Sequence, residues 1–385
     1  MSTYIIPKIV FIDDGINPEF IPQGIAFESY IADANGVHAG TAISDVSHGT
    51  MCFQIFNNHV CTPYSLVSIK VLDNQTGTGN HKALLAALKW CEGQNISIIN
   101  MSMGTRQYTD FAAIATAISN LQNSIIVAAC SNENTLTFPA CLPQVIGVRH
   151  TSNELLAGRF VYLDKQYDQI NVATCVKDEP IDFGSGYFEK MSGANSFATP
   201  IITARICNYL GQGFTTLEDV KKQLELDSVK DVIFTTYKFH KSHIREWENC
   251  SVPVVAVLDS AHEANHKLEI LLDAFIQDGY RAIALSDAQH TNAAKFVYNL
   301  SWPGTGEATA VELIELYYNF ALPDILFLQI DIQATTNMPK NLQADVLLKL
   351  PGVQMDGYVN IDEKYVLDMG KPVASLFADI IRLLS

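Results

Sequence analysis

The 385-residue sequence predicts an α/β protein in two parts, a doubly wound parallel sheet followed by a second α/β domain. Three observations predict it. Short apolar runs alternate with stretches of helical spacing through the first 212 residues, the pattern of strands joined by crossover helices. Polar residues fit for chemistry stand just past the ends of those runs, where open parallel sheets gather their ligands. After a more charged interval, the same alternation restarts at residue 251. The expected division is therefore 1–212, a connector at 213–250, and 251–385.

Taken in order, KIVFIDDG (8–15) reads as a buried strand that runs into a polar turn. SLVSIKVLD (65–73), ISIINMSMG (96–104) and SIIVAACSNEN (124–134) read as three more. HKALLAALKWCEGQ (81–94) and DFAAIATAISNLQN (110–123) carry helical spacing between them, and NSFATPIITARICNYLGQGF (195–214) is a further helix. In the second part VPVVAVLD, YRAIALSD, DILFLQI, ADVLLKL and GYVNI read as strands. EANHKLEILLDAFIQDG, EATAVELIELYYNFAL and KPVASLFADIIRLLS read as helices. Within the connector, KFHKSHIREWENC (238–250) mixes charge with aromatics and is expected to lie against a domain.

With 48% hydrophobic and 17% charged residues, the chain has material for two cores. A formal charge of −16 excludes the clustered Lys and Arg of a nucleic-acid surface and favours basic or neutral peptide partners. The apolar run near the N-terminus is too short for a membrane span and has no basic flank with a cleavage site. A cytoplasmic protein with no membrane partner is the expectation. Eight scattered cysteines without a CxxC pair or metal-finger spacing read as reduced thiols.

Four segments of the first part supply the groups that acyl transfer needs. FIDDGI puts Asp13 at a strand end, SHGTMCFQIF puts His48 at a helix start, AACSNEN puts Asn132 after a strand, and SGANSFATP puts Ser196 at a helix start. His48 is the base for the Ser196 proton, Asp13 the group that holds the imidazole, and the Asn132 amide a donor to the developing oxyanion. The Ser196 backbone N–H at a helix N-terminus is the second donor. Taken alone, Ser196 reads equally as part of an ordinary helix N-terminus.

In the order Asp, His, Asn, Ser, the stretches IVFIDDGI, SHGTMCFQIF, INMSMGT, IVAACSNEN, FPACLPQVIGV and SGANSFATP resemble the subtilisin family of serine peptidases, over about residues 5–210. The resemblance implies a subtilisin-like fold, a catalytic set of Asp13, His48, Ser196 and Asn132, and a substrate strand at Ser102, Met103 and Gly104. Peptide would pair with that strand by β-augmentation. Met103 is expected near the pocket floor and Glu133 at its rim, and neither a cofactor nor a metal is expected. There are departures: Ala194 and Asn195 stand where the family usually has Gly and Thr, and Cys130, Ser131 and Asn134 replace its usual small residues. A methyl at Ala194 would strain the turn if it required positive φ. Asp14, where Ser or Thr is common, is expected to turn outward and bind N–H groups of its own turn.

The second part carries two motifs. HEANH (262–266) is a literal HExxH match, which on one helix would make His262 and His266 zinc ligands and Glu263 a base, a peptidase of another class. The same segment stands where a phosphate-binding loop would, and its surroundings resemble a P-loop NTPase domain. Ala261 and His266 occupy the glycine places and Leu268 the hydroxyl place, so only Lys267 remains of the set. The expected protein is a serine endopeptidase acting on a restricted peptide, similar to the peptidases that remove leaders from bacterial ribosomal precursor peptides. A degenerate P-loop-like domain follows it, with self-association through that domain as an option. The chain starts a few residues before the first strand, so neither a propeptide nor a signal is expected. The alternative is a pseudoprotease, a scaffold that holds extended peptide without cutting it.

Overall fold

Residues Lys8–Asp13 form β1, an apolar run buried at every position after Lys8. Such a run is what a strand covered on both faces requires. The structure, a computed structural model, describes residues 6–40, 43–73, 76–163, 168–232, 252–260, 263–287, 292–300, 310–331, 341–352 and 360–385. The chain divides into two units, Met1–Thr235 and Thr236–Ser385. No helix among the described residues is long and apolar enough to cross a membrane.

In the first unit β1 is followed by β2 (Phe27–Asp33), β3 (Gly36–Ala39), α1 (His48–His59), β4 (Ser65–Lys70), α2 (His81–Cys91), β5 (Ile98–Met101), α3 (Phe111–Asn120), β6 (Ile125–Ala129) and β7 (Val145–His150). Then come β8 (Phe160–Tyr162), β9 (Ile170–Thr174), β10 (Glu179–Asp182), β11 (Phe188–Met191), α4 (Asn195–Gly211) and α5 (Leu217–Asp227). The sheet runs in the order β3-β2-β4-β1-β5-β6-β7-β9-β8. Its core is parallel, and the outermost pairs β2–β3 and β8–β9 are antiparallel. In the middle, Ile9 stands between Leu66 of β4 and Ile98 of β5.

Two helices fix the chemistry. The Ser47 hydroxyl accepts the Thr50 N–H at 3.2 Å and donates to the Gly15 carbonyl at 2.7 Å, so the cap of α1 is tied to the turn after β1. Helix α4 is buried on most of its circumference and packs beneath the sheet against α1. Helix α5 lies in the interval read as connector: Thr216 caps it by accepting the Asp219 N–H, and it buries Val220 and Leu224. The edge strands β2, β3 and β8, the strand β9 and the hairpin β10–β11 are additions to the sequence reading. Most of them are short or partly exposed, so they carry no continuous apolar signal.

The second unit contains β12 (Val254–Asp259), α6 (Asn265–Gln277), β13 (Ala282–Ser286), β14 (Val297–Asn299), α7 (Ala310–Ala321), β15 (Ile325–Asp331), β16 (Asn341–Lys349), β17 (Asn360–Asp368) and α8 (Val373–Leu384). Every described pairing in its six-stranded sheet, β14-β13-β15-β12-β16-β17, is parallel. Most of the GYVNI stretch, Cys250 and the KFHKSHIREWENC segment lie outside the described residues.

Candidate active site

Asp13 ends β1 and His48 begins α1, and the tie from Ser47 to Gly15 brings the two ends together. Asp13 Oδ1 lies 2.9 Å from His48 Nδ1 and also accepts the Asp14 N–H at 2.9 Å. The Asp13 carboxylate is almost wholly buried, and its Oδ2 has no hydrogen-bond partner among the described residues. With Nδ1 engaged, Nε2 is the nitrogen left for chemistry. The ring is stacked on Phe197 at 5.4 Å between centroids, which restricts its rotation.

The Cys52 sulfur and then the Asp13 carboxylate raise the His48 pKa above the ordinary imidazole value, against the effect of burial. Burial pushes the Cys52 thiol up, so at neutral pH it is an S–H group, and the full charge facing the ring is that of Asp13. The direction for His48 is upward. Asp14 departs from expectation. Its carboxylate is buried, not turned outward, and accepts the N–H groups of His48 at 3.1 Å and Gly49 at 2.7 Å. These belong to the first turn of α1, where unpaired donors favour a carboxylate. Burial, and then the charge of Asp13, raises the Asp14 pKa.

Ser196 stands in the first turn of α4, where a backbone N–H has no intrahelical acceptor. Ala194 before it has φ −124° and ψ 145°, so the strain anticipated for a methyl there does not arise; the left-handed position is Gly193, at φ +79°. Asn195 does more than substitute for a threonine. Its Oδ1 accepts the His150 N–H at 2.6 Å, and its Nδ2 donates to the carbonyls of Ser131 at 2.9 Å and Cys130 at 3.3 Å. Its own N–H donates to Asn132 Oδ1 at 3.0 Å. That bond turns the Asn132 NH₂ away from the helix backbone, and this group has no acceptor among the described residues.

Pro200, the sixth residue of α4, lacks the N–H that would bond the Ser196 carbonyl four residues back. The Cys52 thiol donates to that carbonyl instead, at 3.6 Å. Cys52 lies one turn below His48 on α1, its sulfur 3.8 Å from Nε2. It therefore links the candidate base to the candidate nucleophile. Among the described residues, the Ser196 hydroxyl itself makes no hydrogen bond.

The expected substrate strand leaves β5. Ser102 is buried and accepts from Asn100 Nδ2 at 3.0 Å, Met103 is half-buried, and Gly104 is exposed. Thr105 and Phe138 then exchange two backbone hydrogen bonds of 2.9 Å. A Cβ on Gly104 would come within 2.5 Å of Thr137 Cγ2 and 2.7 Å of the Phe138 carbonyl, so the close approach of these strands needs a glycine. Glu133 is exposed but not alone: the Arg106 guanidinium bonds its carboxylate across the two loops.

Asp13, His48 and Cys52 also form the one set of potential metal ligands among the described residues, with ligand atoms within 4.8 Å of one another. The HEANH motif is described only from Glu263 onward. Helix α6 begins at Asn265, so Glu263 precedes it, and His262 and Ala261 lie outside the described residues. In the loop after β12, Asp259 Oδ1 accepts the N–H groups of Ser260 at 2.7 Å and Ala264 at 3.1 Å. Gln329 Nε2 donates to Asp259 Oδ2 at 2.5 Å.

Cys52, Asn195 and Arg106 are the contributors that motif reading missed. Cys52 had a signal, its i+4 spacing from His48 on a helix; Arg106, 27 residues before Glu133, had none.

The profile of the Subtilase family matches residues 11–244, more than half of the chain. Subtilisin DY of Bacillus licheniformis is 28% identical over 156 residues, which are 37% of this chain and 55% of that protein. Subtilisin NAT of Bacillus subtilis subsp. natto is 25% identical over 236 residues, 57% of this chain and 59% of the relative. The chain thus spans a little over half the length of these relatives. Among solved structures, a cold-adapted subtilisin-like serine proteinase is 22% identical with a TM-score of 0.45, covering 58% of this chain and 84% of that one.

Proposed function

The chain belongs to the subtilase family, and from that premise we propose that it is a serine endopeptidase whose working groups are Asp13, His48, Ser196 and Asn132. The observation that carries this reading is the 2.9 Å contact from buried Asp13 to His48 Nδ1, beside the helix that begins at Asn195 and carries Ser196 in its first turn. His48 Nε2 takes the Ser196 proton as Oγ attacks the scissile carbonyl, and Asp13 stabilises the imidazolium that forms. The Asn132 amide and the Ser196 N–H receive the oxyanion. His48 then returns its proton to the leaving amine, and water repeats the sequence on the acyl-enzyme.

Substrate is proposed to lie extended along Ser102, Met103 and Gly104. The physiological reaction is proposed to be restricted, leader removal from a ribosomally made precursor peptide in the cytoplasm. The acidity of the chain supports a substrate without acidic residues beside the scissile bond. The Arg106 partner of Glu133 lowers the attraction of that rim for a basic residue, so a neutral one fits best. The second unit is proposed to be a noncatalytic, degenerate P-loop-like domain that contributes protein contacts, including contacts to another copy of the chain. The Asp259 carboxylate supports its loss of nucleotide, since it takes loop N–H groups that a phosphate would need.

A peptide-binding scaffold without turnover is the second reading, favoured by the Ser196 hydroxyl having no bond to His48. One labelling experiment separates them. A fluorophosphonate that labels the protein at Ser196 and not Ser196→Ala upholds the peptidase; failure to label, with extended peptide still bound, upholds the scaffold.

A further inference from the structure

Two adjoining cavities open on the far half of α4, away from Ser196. The larger, about 390 Å³, is lined by Arg159, Phe160, Arg205, Ser228 and Lys230, together with Asp227 and Asp231. The smaller, about 220 Å³, shares Arg159, Phe160 and Arg205 and continues along Ile201 and Asn208. Residues 201, 205 and 208 follow the i, i+4, i+7 spacing of one helix face. Arg205 lies nine residues beyond Ser196, roughly 13 Å along the helix.

The cations of this cavity are unusual in a chain of net charge −16. Neither Arg159 nor Arg205 has a carboxylate partner among the described residues. The Arg205 guanidinium instead lies 5.9 Å from the Phe160 ring centroid, held by the ring face. The Arg159 backbone is fixed, its N–H donating to the Leu156 carbonyl and its carbonyl accepting from Thr174 Oγ1 at 2.6 Å. The lining carries three cations, Arg159, Arg205 and Lys230, against two carboxylates, Asp227 and Asp231, so one positive charge is left over; the Asp227 carboxylate is held by the Tyr209 hydroxyl at 2.7 Å and Gln223 Nε2 at 2.9 Å. The cavity thus presents two planar forks of N–H donors, with Lys230 beside them donating one N–H to the Glu225 carbonyl at 2.7 Å, in a volume within the range of ligand pockets.

We propose that this cavity is a binding site for an oxyanion-bearing ligand, a phosphate or clustered carboxylates, gripped bidentately by Arg159 and Arg205 and supported by Lys230. It is a site separate from Ser196, and the proposal is independent of the peptidase reading. The arginine fork matches both phosphate and carboxylate geometry, so the anion is either a free small molecule or an acidic stretch of polypeptide.

Titration calorimetry and thermal unfolding at low salt test it, with inorganic phosphate, pyrophosphate and a hexaglutamate peptide as probes. The full chain is expected to bind at least one saturably, and Ser196→Ala to bind equally well. Arg159→Gln, at an exposed position, and Arg205→Gln are each expected to weaken binding at least tenfold, with unfolding in the absence of anion reporting any folding defect. Peptide binding tighter than pyrophosphate assigns the site to an acidic segment, and the reverse order assigns it to a free anion. No saturable binding of any probe, or unchanged binding in a well-folded Arg159→Gln, overturns the proposal.

Discussion

The Asn195 N–H donates to Asn132 Oδ1 at 3.0 Å, so the residue before the candidate nucleophile aims the amide of the candidate oxyanion donor. The same Asn195 side chain ties the ends of β6 and β7 together through Cys130, Ser131 and His150. Nucleophile turn and oxyanion donor therefore move as one body.

Removing each member should reveal that unity. Asn132→Ala is expected to lower kcat by roughly 10² to 10³ with little change in KM, because the amide serves the transition state more than the bound substrate. Asn195→Ala takes the partner from the His150 N–H and the Cys130 carbonyl, while the Ser131 carbonyl keeps the Asn134 N–H, and should cost about 1–3 kcal/mol in urea unfolding. It should also lower kcat, and the double variant should lose less than the sum of the two effects. The alanine keeps the backbone N–H that bonds Asn132, so full additivity in kcat would show that the Asn195 side chain does not hold that N–H in place for Asn132.

His48 must be neutral to accept a proton, and its pKa is raised; of the two groups that hold it up, Cys52 and Asp13, only Asp13 is charged at neutral pH. The acid limb of kcat/KM is expected above the ordinary imidazole value of about 6.5. Asp13→Asn should move that limb down while lowering the plateau. The linkage has a definite sign. A raised imidazole pKa contributes stability that is whole below about pH 6.5 and is lost as pH rises through the folded-state value. Denaturant midpoints compared at pH 6 and pH 9, in wild type and His48→Ala, check it; an equal change in both would remove His48 as the source.

Gly49→Ala tests the junction of β1 and α1. A Cβ there would come within 2.5 Å of the Gly15 carbonyl and 3.1 Å of Asp13 Cβ. Overpacking of this kind costs about 1–3 kcal/mol. The methyl should also part Asp13 from His48, so activity is expected to fall further than stability. Wild-type turnover in a stable Gly49→Ala protein would show that the junction has slack.

In the second unit, calorimetry with ATP or GTP and magnesium is expected to show no saturable heat. Asp259 already holds the loop N–H groups, and a lone Lys267 is no phosphate site. Micromolar binding would restore the unit as a nucleotide domain.

The buried parallel strands were legible because a strand covered on both faces is mostly apolar: β6 is so throughout, and β1, β5 and β12 are apart from Lys8, Asp13, Asn100 and Asp259. Polar residues interrupting those runs at their ends, Asp13 and Asn132 among them, stood out for the same reason. What was not legible depends on partners distant in sequence. The carbonyl left by Pro200 is met by a thiol 144 residues earlier in the chain than Ser196, and Glu133 by an arginine from another loop. Asn195 read as a departure from a motif because its role lies in three backbone groups that no periodicity displays.

The order of the sheet also sets a clock. Asp13 lies on β1, fourth in the nine-strand order, and is made 183 residues before Ser196, which follows β9 and both edge hairpins. At translation rates of about 5–20 residues per second, the two are separated by roughly 10–40 s of synthesis. Throughout that interval the nascent chain holds the candidate base and carboxylate without the candidate nucleophile. On the proposed peptidase reading, the unfinished polypeptide therefore holds no complete site until α4 is made.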